Sequence, residues 1–218
     1  MAHAQLSPSS ATRWMSCPGS VALTKGMLDT SSKYADEGTD AHELAALCLE
    51  TNTDAVAYLG RVLTEGHTVD DDMARHVQSY VHYVRDLAEG GALLVEQRLP
   101  IGNLTGEKDA HGTTDALITH PDELTVADLK YGMGEPVQAD NNPQLQIYAL
   151  AALRQYELAY DFKTVRMVIH QPRLGAVSEW VQTVEELEAF AVRVAEAAQY
   201  TEDPDAPLVP PTTGRRWC

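Results

Sequence analysis

Two aspartates and a lysine near the middle of the chain have residue types and spacing that could support metal-dependent chemistry. Asp115 lies in GTTDALIT, and Asp128 and Lys130 lie in LTVADLK. Carboxylate oxygens are the ligands that Mg²⁺ and Mn²⁺ prefer in proteins. An ammonium group beside such a cation could orient a bound water or stabilise charge that develops on phosphorus. The three residues therefore form a candidate metal site with a lysine next to it.

The turn between the two segments predicts how these side chains meet. HPDE at 120–123 is the only turn signal between two runs rich in β-forming residues, so it centres a β-hairpin. Opposing residue numbers then sum to 243, which places Asp115 opposite Asp128, with Cα atoms roughly 4.5–5.5 Å apart. Lys130 points from the same face as Asp128 because side chains alternate along a strand. Facing carboxylates repel each other, and a divalent cation between them would offset that cost.

Three further side chains could complete the site. Gln144 and Tyr148 share one face of the helix predicted after the hairpin, where they could contact a nucleic-acid backbone or position Lys130. His42 lies near the start of an upstream helix, beside its apolar stripe. Each residue also has a structural interpretation: a strand aspartate at a turn or edge, an edge-strand lysine that discourages pairing, a partly buried tyrosine, or a structural histidine. The combination favours the metal site.

The elements around these residues indicate a mixed α/β domain with an N-terminal helical portion. We expect residues 1–91 to form the helical portion, 92–202 the core and 203–218 a Pro-rich tail, all within one compact domain. Residues 102–112 read as a loop or wide turn between strands. Hydrophobic periodicity and capping signals predict helices over 7–14, 36–51, 70–88, 141–156 and 183–200, and strands over 92–99, 112–119, 123–131, 164–170 and 178–182.

Composition limits the classes of function. The net charge is −16, from 16 basic and 32 acidic side chains, which weighs against broad non-specific binding of phosphates. An enzyme that grips a DNA end locally remains compatible with that charge. No apolar run is long enough to span a membrane. We expect no secretory signal, because MAHAQLSPSS has no basic region followed by an apolar stretch. Three widely spaced cysteines do not suggest a disulfide framework and favour a reducing, intracellular compartment.

The motifs around these residues resemble those of the PD-(D/E)XK nuclease superfamily. The matching residues are Gly112-x-x-Asp115, Asp128-x-Lys130 and Gln144-x-x-x-Tyr148. The last motif and His42 resemble more narrowly the RecB-like branch, which has QxxxY after its catalytic lysine and a histidine on an upstream helix. SPSSATRWMSCPGSVALT, VIHQPRL and PLVPPTTGRRWC are similar to uncharacterised phage and prophage proteins related to CRISPR-associated RecB-like exonucleases. The resemblance runs from Ser7 to Cys218.

The resemblance implies a restriction-endonuclease-like fold, with a central mixed sheet flanked by helices, and a role for each site residue. The ligands of Mg²⁺ or Mn²⁺ would be His42, Asp115, Asp128 and the backbone carbonyl of Leu129. Lys130 would be the catalytic lysine, working with Asp115 and Asp128. Gln144 and Tyr148 would contact or orient the substrate, and Glu96 on the preceding strand could add a carboxylate.

The activity that follows from the resemblance is metal-dependent hydrolysis of DNA, most plausibly by an exonuclease acting on linear ends. The expected setting is phage recombination or DNA processing in the cytoplasm of a bacterial host, with a phage recombination protein as a possible partner and no membrane. One alternative is a catalytically silent protein that keeps the nuclease shape for DNA binding or assembly. Another is a hydrolase that acts on a different phosphoester.

The cysteines depart from the pattern of related proteins. Such relatives often hold a four-iron, four-sulfur cluster with one early and three late cysteines. Cys17 matches the early ligand and Cys218 one late ligand, but Arg215 stands where another cysteine would be expected. Two thiolates cannot supply the four ligands that such a cluster needs. We therefore expect no iron–sulfur cluster in this chain.

Overall fold

An open, mixed sheet of five strands organises the middle of the chain. In the computed structural model, which describes residues 4–27 and 33–209, the strands lie in the order β1-β2-β3-β4-β5. Only β3 and β4 run parallel, and the other neighbouring pairs are antiparallel. The strands are β1 (Ala92–Pro100), β2 (His111–Thr119), β3 (Glu123–Leu129), β4 (Thr164–Gln171) and β5 (Ala176–Thr183).

Helices lie before, between and after the strands in the sequence, and they cover both faces of the sheet. Three are short and the others form the main packing layers. They are α1 (Ala11–Ser16), α2 (Gly19–Thr24), α3 (Lys33–Thr51), α4 (Asp71–Leu87), α5 (Gly102–Thr105), α6 (Pro143–Tyr156) and α7 (Val184–Tyr200). Single 3₁₀ turns lie at Pro8–Ser10, Ala55–Tyr58 and Pro172–Leu174. The α/β class, the mixed sheet and the N-terminal helical portion are confirmed.

Two apolar cores lie on opposite faces of the sheet. One contains buried side chains of α1, α6 and α7, and the other contains those of α3 and α4. Strand β2 shows the division, because Leu117 belongs to the first core while Ala116 and Ile118 belong to the second. Burial on both faces explains the nearly continuous apolar sequence of β3. The sheet therefore brings α3 and α6 to opposite sides of the same strands.

Helix starts follow the capping signals in the sequence. Asp70 accepts a hydrogen bond from the backbone of Met73 at the start of α4, and Thr183 and Glu186 form the predicted capping box of α7. Asn142 caps α6, with Pro143 at its first position. These side chains satisfy backbone N–H groups that have no partner within the helix. The start of α6 fixes where Gln144 enters the site.

The hairpin register is confirmed, and several boundaries differ from prediction. Ala116 pairs with Ala127 and Thr119 with Leu124, so the residue numbers sum to 243 as expected. The helix predicted over 7–14 is instead a 3₁₀ turn followed by α1. Neither α2 nor α5 was predicted, and β3 ends at Leu129 rather than at residue 131. Residues 210–218 of the predicted tail, including Arg215 and Cys218, lie outside the described residues.

No helix in the described ranges has both the length and the apolar character needed to cross a membrane.

Candidate functional site

The two strands of the hairpin separate where the two aspartates lie. The last ladder pair is Ala116 with Ala127, one step before Asp115 and Asp128. Beyond that pair, the Oδ2 atom of Asp115 accepts a hydrogen bond from the backbone N–H of Leu129 at 2.7 Å. A carboxylate oxygen thus satisfies a strand N–H at the end of the ladder.

Lys130, Asp128 and Gln144 form one contact triangle. The Lys130 Nζ lies 2.7 Å from Asp128 Oδ2 and donates to Gln144 Oε1 at 3.1 Å. The amide nitrogen of Gln144 donates to Asp128 Oδ1 at 2.7 Å. Asp128 is 4% exposed, and its Oδ2 has the ionic contact with Lys130 but no hydrogen bond of good geometry. The helix residue therefore orients both charged groups.

His42 reaches the same place from α3, on the other face of the sheet. Its Nε2 lies 2.8 Å from the carbonyl oxygen of Leu129 and 3.3 Å from Asp115 Oδ2. Its Nδ1 lies 2.7 Å from the carbonyl oxygen of Gly38. Both ring nitrogens face a carbonyl oxygen, and an imidazole donates from both only when it is protonated. The ring is thus held as a cation between α3 and the end of β3.

The charges of these groups shift one another's pKa values. Burial opposes protonation of His42, but the negative charge and contact of Asp115 outweigh it and raise the pKa to about 10. Burial would raise the pKa of Asp115, yet His42 and the Leu129 N–H hold it below its ordinary value. Burial and the nearby Asp115 charge raise the pKa of Asp128 despite Lys130. Burial disfavours the Lys130 ammonium, but Asp128 raises its pKa.

Tyr148 lies mainly in the core beneath the site. Its side chain is buried in the first apolar core, and burial with the charges of Asp128 and Asp115 raises the pKa of its phenol. A Cβ atom on Gly112 would lie 2.7 Å from Tyr148 Cε1 and 2.9 Å from Pro8 Cγ. Glycine at position 112 is what allows the tyrosine ring and the N-terminal segment to pack this closely on β2.

Glu96 lies in the same cross-strand row as the two aspartates. The β1–β2 ladder pairs Val95 with Ala116 and Gln97 with Thr114, which brackets Glu96 and Asp115. Glu96 has a left-handed backbone with φ of 47°, a conformation that costs on the order of 1–3 kcal/mol for a residue other than glycine. Desolvation and the charge of Asp115 raise its pKa to about 7, although part of the side chain is exposed. Backbone strain therefore coincides with the acidic row.

The helix that carries His42 is anchored by a buried aspartate that sequence reasoning missed. Asp40 accepts hydrogen bonds from the backbone N–H groups of Glu65 and His67 and contacts the His67 ring at 2.7 Å. Its side chain is fully buried. Burial would raise the pKa of Asp40, but these hydrogen bonds lower it. The sequence GTDAHEL at 38–44 does not indicate which of its acidic side chains is buried.

The segment VIHQPRL supplies two more supporting side chains. Gln171 accepts a hydrogen bond from Val137 N at 2.6 Å. Arg173 pairs with Glu37 of α3 at 2.8 Å and lies over the Tyr131 ring, 5.0 Å from its centroid. Arg173 thus links the start of α3 to the residue after Lys130. The resemblance singled out this segment without giving its residues a role.

The donor atoms at the site fit a divalent cation. His42 Nε2, the Leu129 carbonyl and Asp115 Oδ2 converge within the distances given above, and the buried Oδ2 of Asp128, one residue before Leu129, has no hydrogen-bond partner in the part of the chain that the structure describes. Imidazole, carboxylate and carbonyl donors suit Mn²⁺, and the oxygen donors suit Mg²⁺. Within the described residues, no three His, Cys, Asp or Glu side chains are already arranged as metal ligands; these donors instead contact one another, Lys130 and Gln144.

The fold and site together define an α/β protein whose mixed sheet opens onto a cluster of paired acidic and basic side chains. The chain belongs to a family described as protein of unknown function (DUF2800), which matches residues 3–218. It is also similar to the solved structure titled "Crystal structure of SSO0001", with 18% identity, a TM-score of 0.38, and coverage of 90% of this chain and 75% of that chain.

Proposed function

We propose that this protein is a metal-dependent DNA nuclease of the PD-(D/E)XK type, most closely of the RecB-like branch. The observation that carries the proposal is a pair of adjoining contact sets at the end of one hairpin: His42 contacts Asp115, and Lys130 and Gln144 contact Asp128. These are the residues that the motif spacing brings together. Charged groups that are buried or half-buried together, each in contact with another, are often found at functional sites.

Mg²⁺ or Mn²⁺ would be held by His42, Asp115, Asp128 and the Leu129 carbonyl, with Glu96 as a possible further donor. Such a cation, when bound, polarises the phosphate and lowers the pKa of a bound water. His42 would bind the cation through Nε2 after losing the proton there, while its Nδ1–H donates to the Gly38 carbonyl, an outer contact that orients a metal-binding imidazole. The chain thus presents the donors from two sides of the sheet.

Lys130 would be the catalytic lysine, acting as an electrostatic group. Its ammonium is kept protonated by Asp128 and is pointed by Gln144, so it would stabilise negative charge on the scissile phosphate. Tyr148 is buried in the first apolar core. It would therefore orient the substrate indirectly, by supporting the helix face that carries Gln144. The restriction-endonuclease-like core over 92–202 would carry these groups, and residues 1–91 would supply His42.

The substrate we propose is linear DNA. The protein would act on it as an exonuclease, during phage recombination or DNA processing in the cytoplasm of a bacterial host. A phage recombination protein would be a suitable partner. We also propose that the chain carries no iron–sulfur cluster, because its three cysteines, Cys17, Cys48 and Cys218, are too few for four-thiolate ligation.

The net charge of −16 favours a second candidate, a catalytically silent DNA-binding or assembly protein with a nuclease shape. In that protein the paired charges would serve only to hold α3, the hairpin and α6 together. The two candidates differ in what happens to DNA when a divalent cation is present.

The test is cleavage of linear and circular DNA, each single- and double-stranded, with Mg²⁺ or Mn²⁺. We expect wild type to degrade linear DNA and Lys130→Ala to lose the activity by roughly 100-fold or more, as removal of a charge-stabilising group does. Lys163→Ala is the matched control, since Lys163 is an exposed lysine paired with Asp161. DNA binding without cleavage of any substrate would favour the silent protein, and cleavage of a different phosphoester alone would favour another hydrolase.

A further inference from the structure

The part of α3 that precedes His42 has few buried side chains to hold it in place. No residue from 34 to 39 is buried, and the buried side chains of this helix begin at Asp40. Gly38 lies within this stretch, and glycine weakens a helix relative to alanine. The Gly38 carbonyl nevertheless lies 2.7 Å from His42 Nδ1. The direction of the His42 ring therefore depends in part on what fixes residues 34–39.

Arg173 contacts this part of α3 from outside the helix. Its Nη1 lies 2.8 Å from Glu37 Oε2, and Glu37 immediately precedes Gly38. The pair is largely shielded from water, since the Arg173 and Glu37 side chains are 19% and 28% exposed. A partly buried ion pair is screened by salt much less than one on the surface. Arg173 thus fixes the turn whose carbonyl faces His42.

The position of Arg173 is fixed by its own neighbours. It lies in the 3₁₀ turn that connects β4 and β5, directly after the buried Pro172. Gln171 is 3% exposed and accepts a hydrogen bond from Val137 N at 2.6 Å. The guanidinium of Arg173 lies over the Tyr131 ring, 5.0 Å from its centroid, where the ring face attracts a cation. Arg173 is therefore a rigid support for α3.

These contacts form a closed path around the His42 side of the site. From Arg173 the path runs to Glu37 and its neighbour Gly38. It continues from the Gly38 carbonyl through the His42 ring to the Leu129 carbonyl, with contacts of 2.7 Å and 2.8 Å. Two residues after Leu129 is the tyrosine on which the guanidinium of Arg173 lies. Without Arg173 this path is open, and His42 can move with the first turns of α3.

We propose that Arg173 is a positioning residue that holds His42 in the geometry for binding Mn²⁺. The inference rests on the proposed function, in which His42 is a metal ligand. Arg173 acts through Glu37 and not by contact with the cation, because its guanidinium already has a partner on each side. Removal of an outer contact that orients a metal ligand typically lowers metal affinity by roughly 10- to 100-fold. Loss of Arg173 should therefore weaken Mn²⁺ binding.

The test measures the dissociation constant for Mn²⁺ by EPR titration of the purified protein without DNA. Arg173→Met should raise that constant about tenfold, and Arg173→Lys should recover part of the loss because lysine can still pair with Glu37. Arg166→Met is the matched control, because Arg166 is also half-buried and pairs with Glu123 and Glu179, at 3.1 Å and 2.6 Å. The control should leave Mn²⁺ affinity unchanged. In the cleavage assay, saturating Mn²⁺ should return kcat of Arg173→Met to near the wild-type value.

A double-mutant cycle tests whether Arg173 acts through Glu37. Glu37→Ala should weaken Mn²⁺ binding as Arg173→Met does. The double variant should bind Mn²⁺ no more weakly than either single variant, because two residues that act as one unit do not give additive losses. Additive losses would show that Arg173 does not act through Glu37, and the inference would be wrong.

The remaining outcomes separate the inference from the proposed function. If Arg173→Met and wild type bind Mn²⁺ equally, the inference is wrong while the proposed function stands. If Arg166→Met weakens Mn²⁺ binding as much as Arg173→Met does, the effect reflects general stability, and the inference is again wrong. If wild type neither binds Mn²⁺ nor cleaves any DNA, the proposed function fails and the inference fails with it.

Discussion

At the residue scale, the site balances its own charges although the protein as a whole is strongly acidic. The carboxylates of Asp115 and Asp128 lie against the cationic groups of His42 and Lys130. A divalent cation would compete with the proton on His42 Nε2, because the same lone pair serves both. The imidazolium thus balances the Asp115 charge, and it would lose its Nε2 proton to a cation that binds there. This arrangement explains how a buried and a half-buried aspartate are accommodated at the end of one hairpin.

The two aspartates should respond oppositely to removal of their charge. The folded protein disfavours ionised Asp128, whose pKa is raised, and favours ionised Asp115, whose pKa is lowered. In metal-free buffer at neutral pH, Asp128→Asn should therefore raise the free energy of unfolding and Asp115→Asn should lower it, each by about 1 kcal/mol. Thermal melts with EDTA measure both. Each variant should also bind Mn²⁺ more weakly.

If Asp128→Asn is less stable than wild type under these conditions, the contacts of the Asp128 carboxylate with Lys130 and Gln144 outweigh its burial cost and its repulsion by Asp115. An increase in Asp115→Asn would mean that the Leu129 hydrogen bond contributes little.

Some site residues were predictable because they are close in sequence or fixed by a turn. The four residues at HPDE set the hairpin register, which placed Asp115, Asp128 and Lys130 together. Asp40 was not predictable, because its partners lie on a loop 25 and 27 residues away. The left-handed backbone of Glu96 was also not predictable, because a glutamate within a strand pattern does not indicate backbone strain.

At the element scale, the packing of α6 on β2 depends on a glycine. Gly112→Ala should lower the free energy of unfolding by about 1–3 kcal/mol, because the new methyl group would overlap Tyr148 and Pro8. Displacement of Tyr148 should also lower nuclease activity. Denaturant unfolding and the cleavage assay measure the two effects.

Gly38→Ala is the matched control, since Gly38 lies in α3 with nothing within 4 Å of an added Cβ. Alanine there should raise stability by up to about 1 kcal/mol through helix propensity. Equal stability of Gly112→Ala and wild type would mean that the N-terminal segment shifts freely on β2.

The long elements followed from the sequence, and the short ones did not. Helices α3, α4 and α7 each extend over 17 residues or more with apolar stripes, and α4 and α7 also begin at side-chain caps, so local signals identify them. Helix α2 has six residues, GSVALT, and no side-chain cap. A helix that short owes its stability to packing and not to propensity. Its glycine contacts the backbone of residues 206–207, a distant segment that local patterns do not reveal.

The packing of α4 on β4 should make stability depend on pH through His170. Its ring lies beside Tyr80 and Tyr83, with centroids 5.7 Å and 5.3 Å away, and burial lowers its pKa to about 4. Because that pKa is below the ordinary value near 6.5, the unfolded chain takes up this proton first. The neutral ring is stabilising above pH about 6.5, and this contribution is lost as pH falls towards 4.

His170→Phe keeps a buried ring and removes the titration. The difference in Tm between wild type and His170→Phe should change by about 5–10 °C in favour of the variant between pH 7 and pH 4, corresponding to about 3 kcal/mol. Carboxylates that titrate in the same range affect both proteins and cancel in this difference. A difference in Tm that stays constant over the range would contradict the assignment.

At the scale of the whole molecule, the acid excess limits how DNA can approach. With 32 acidic and 16 basic side chains, the net charge opposes broad contact with phosphate, and under the proposed function DNA contact would be confined to a small region around Lys130. Each phosphate neutralised by a cationic group adds about 0.9 to the magnitude of the slope of log K against log salt concentration for duplex DNA. The number of contacts can therefore be read from that slope.

We expect a shallow slope of about −3, for about three phosphate contacts. Fluorescence anisotropy with cleavage-resistant phosphorothioate duplex DNA, at fixed Mg²⁺ and varied KCl, measures it. Lys130→Ala should reduce its magnitude by about one, and Lys163→Ala should leave it unchanged because Lys163 already pairs with Asp161. A slope of about −6 or steeper would indicate an extended basic contact, which the charge of this chain does not predict. A shallow slope that Lys130→Ala does not alter would place DNA away from the hairpin.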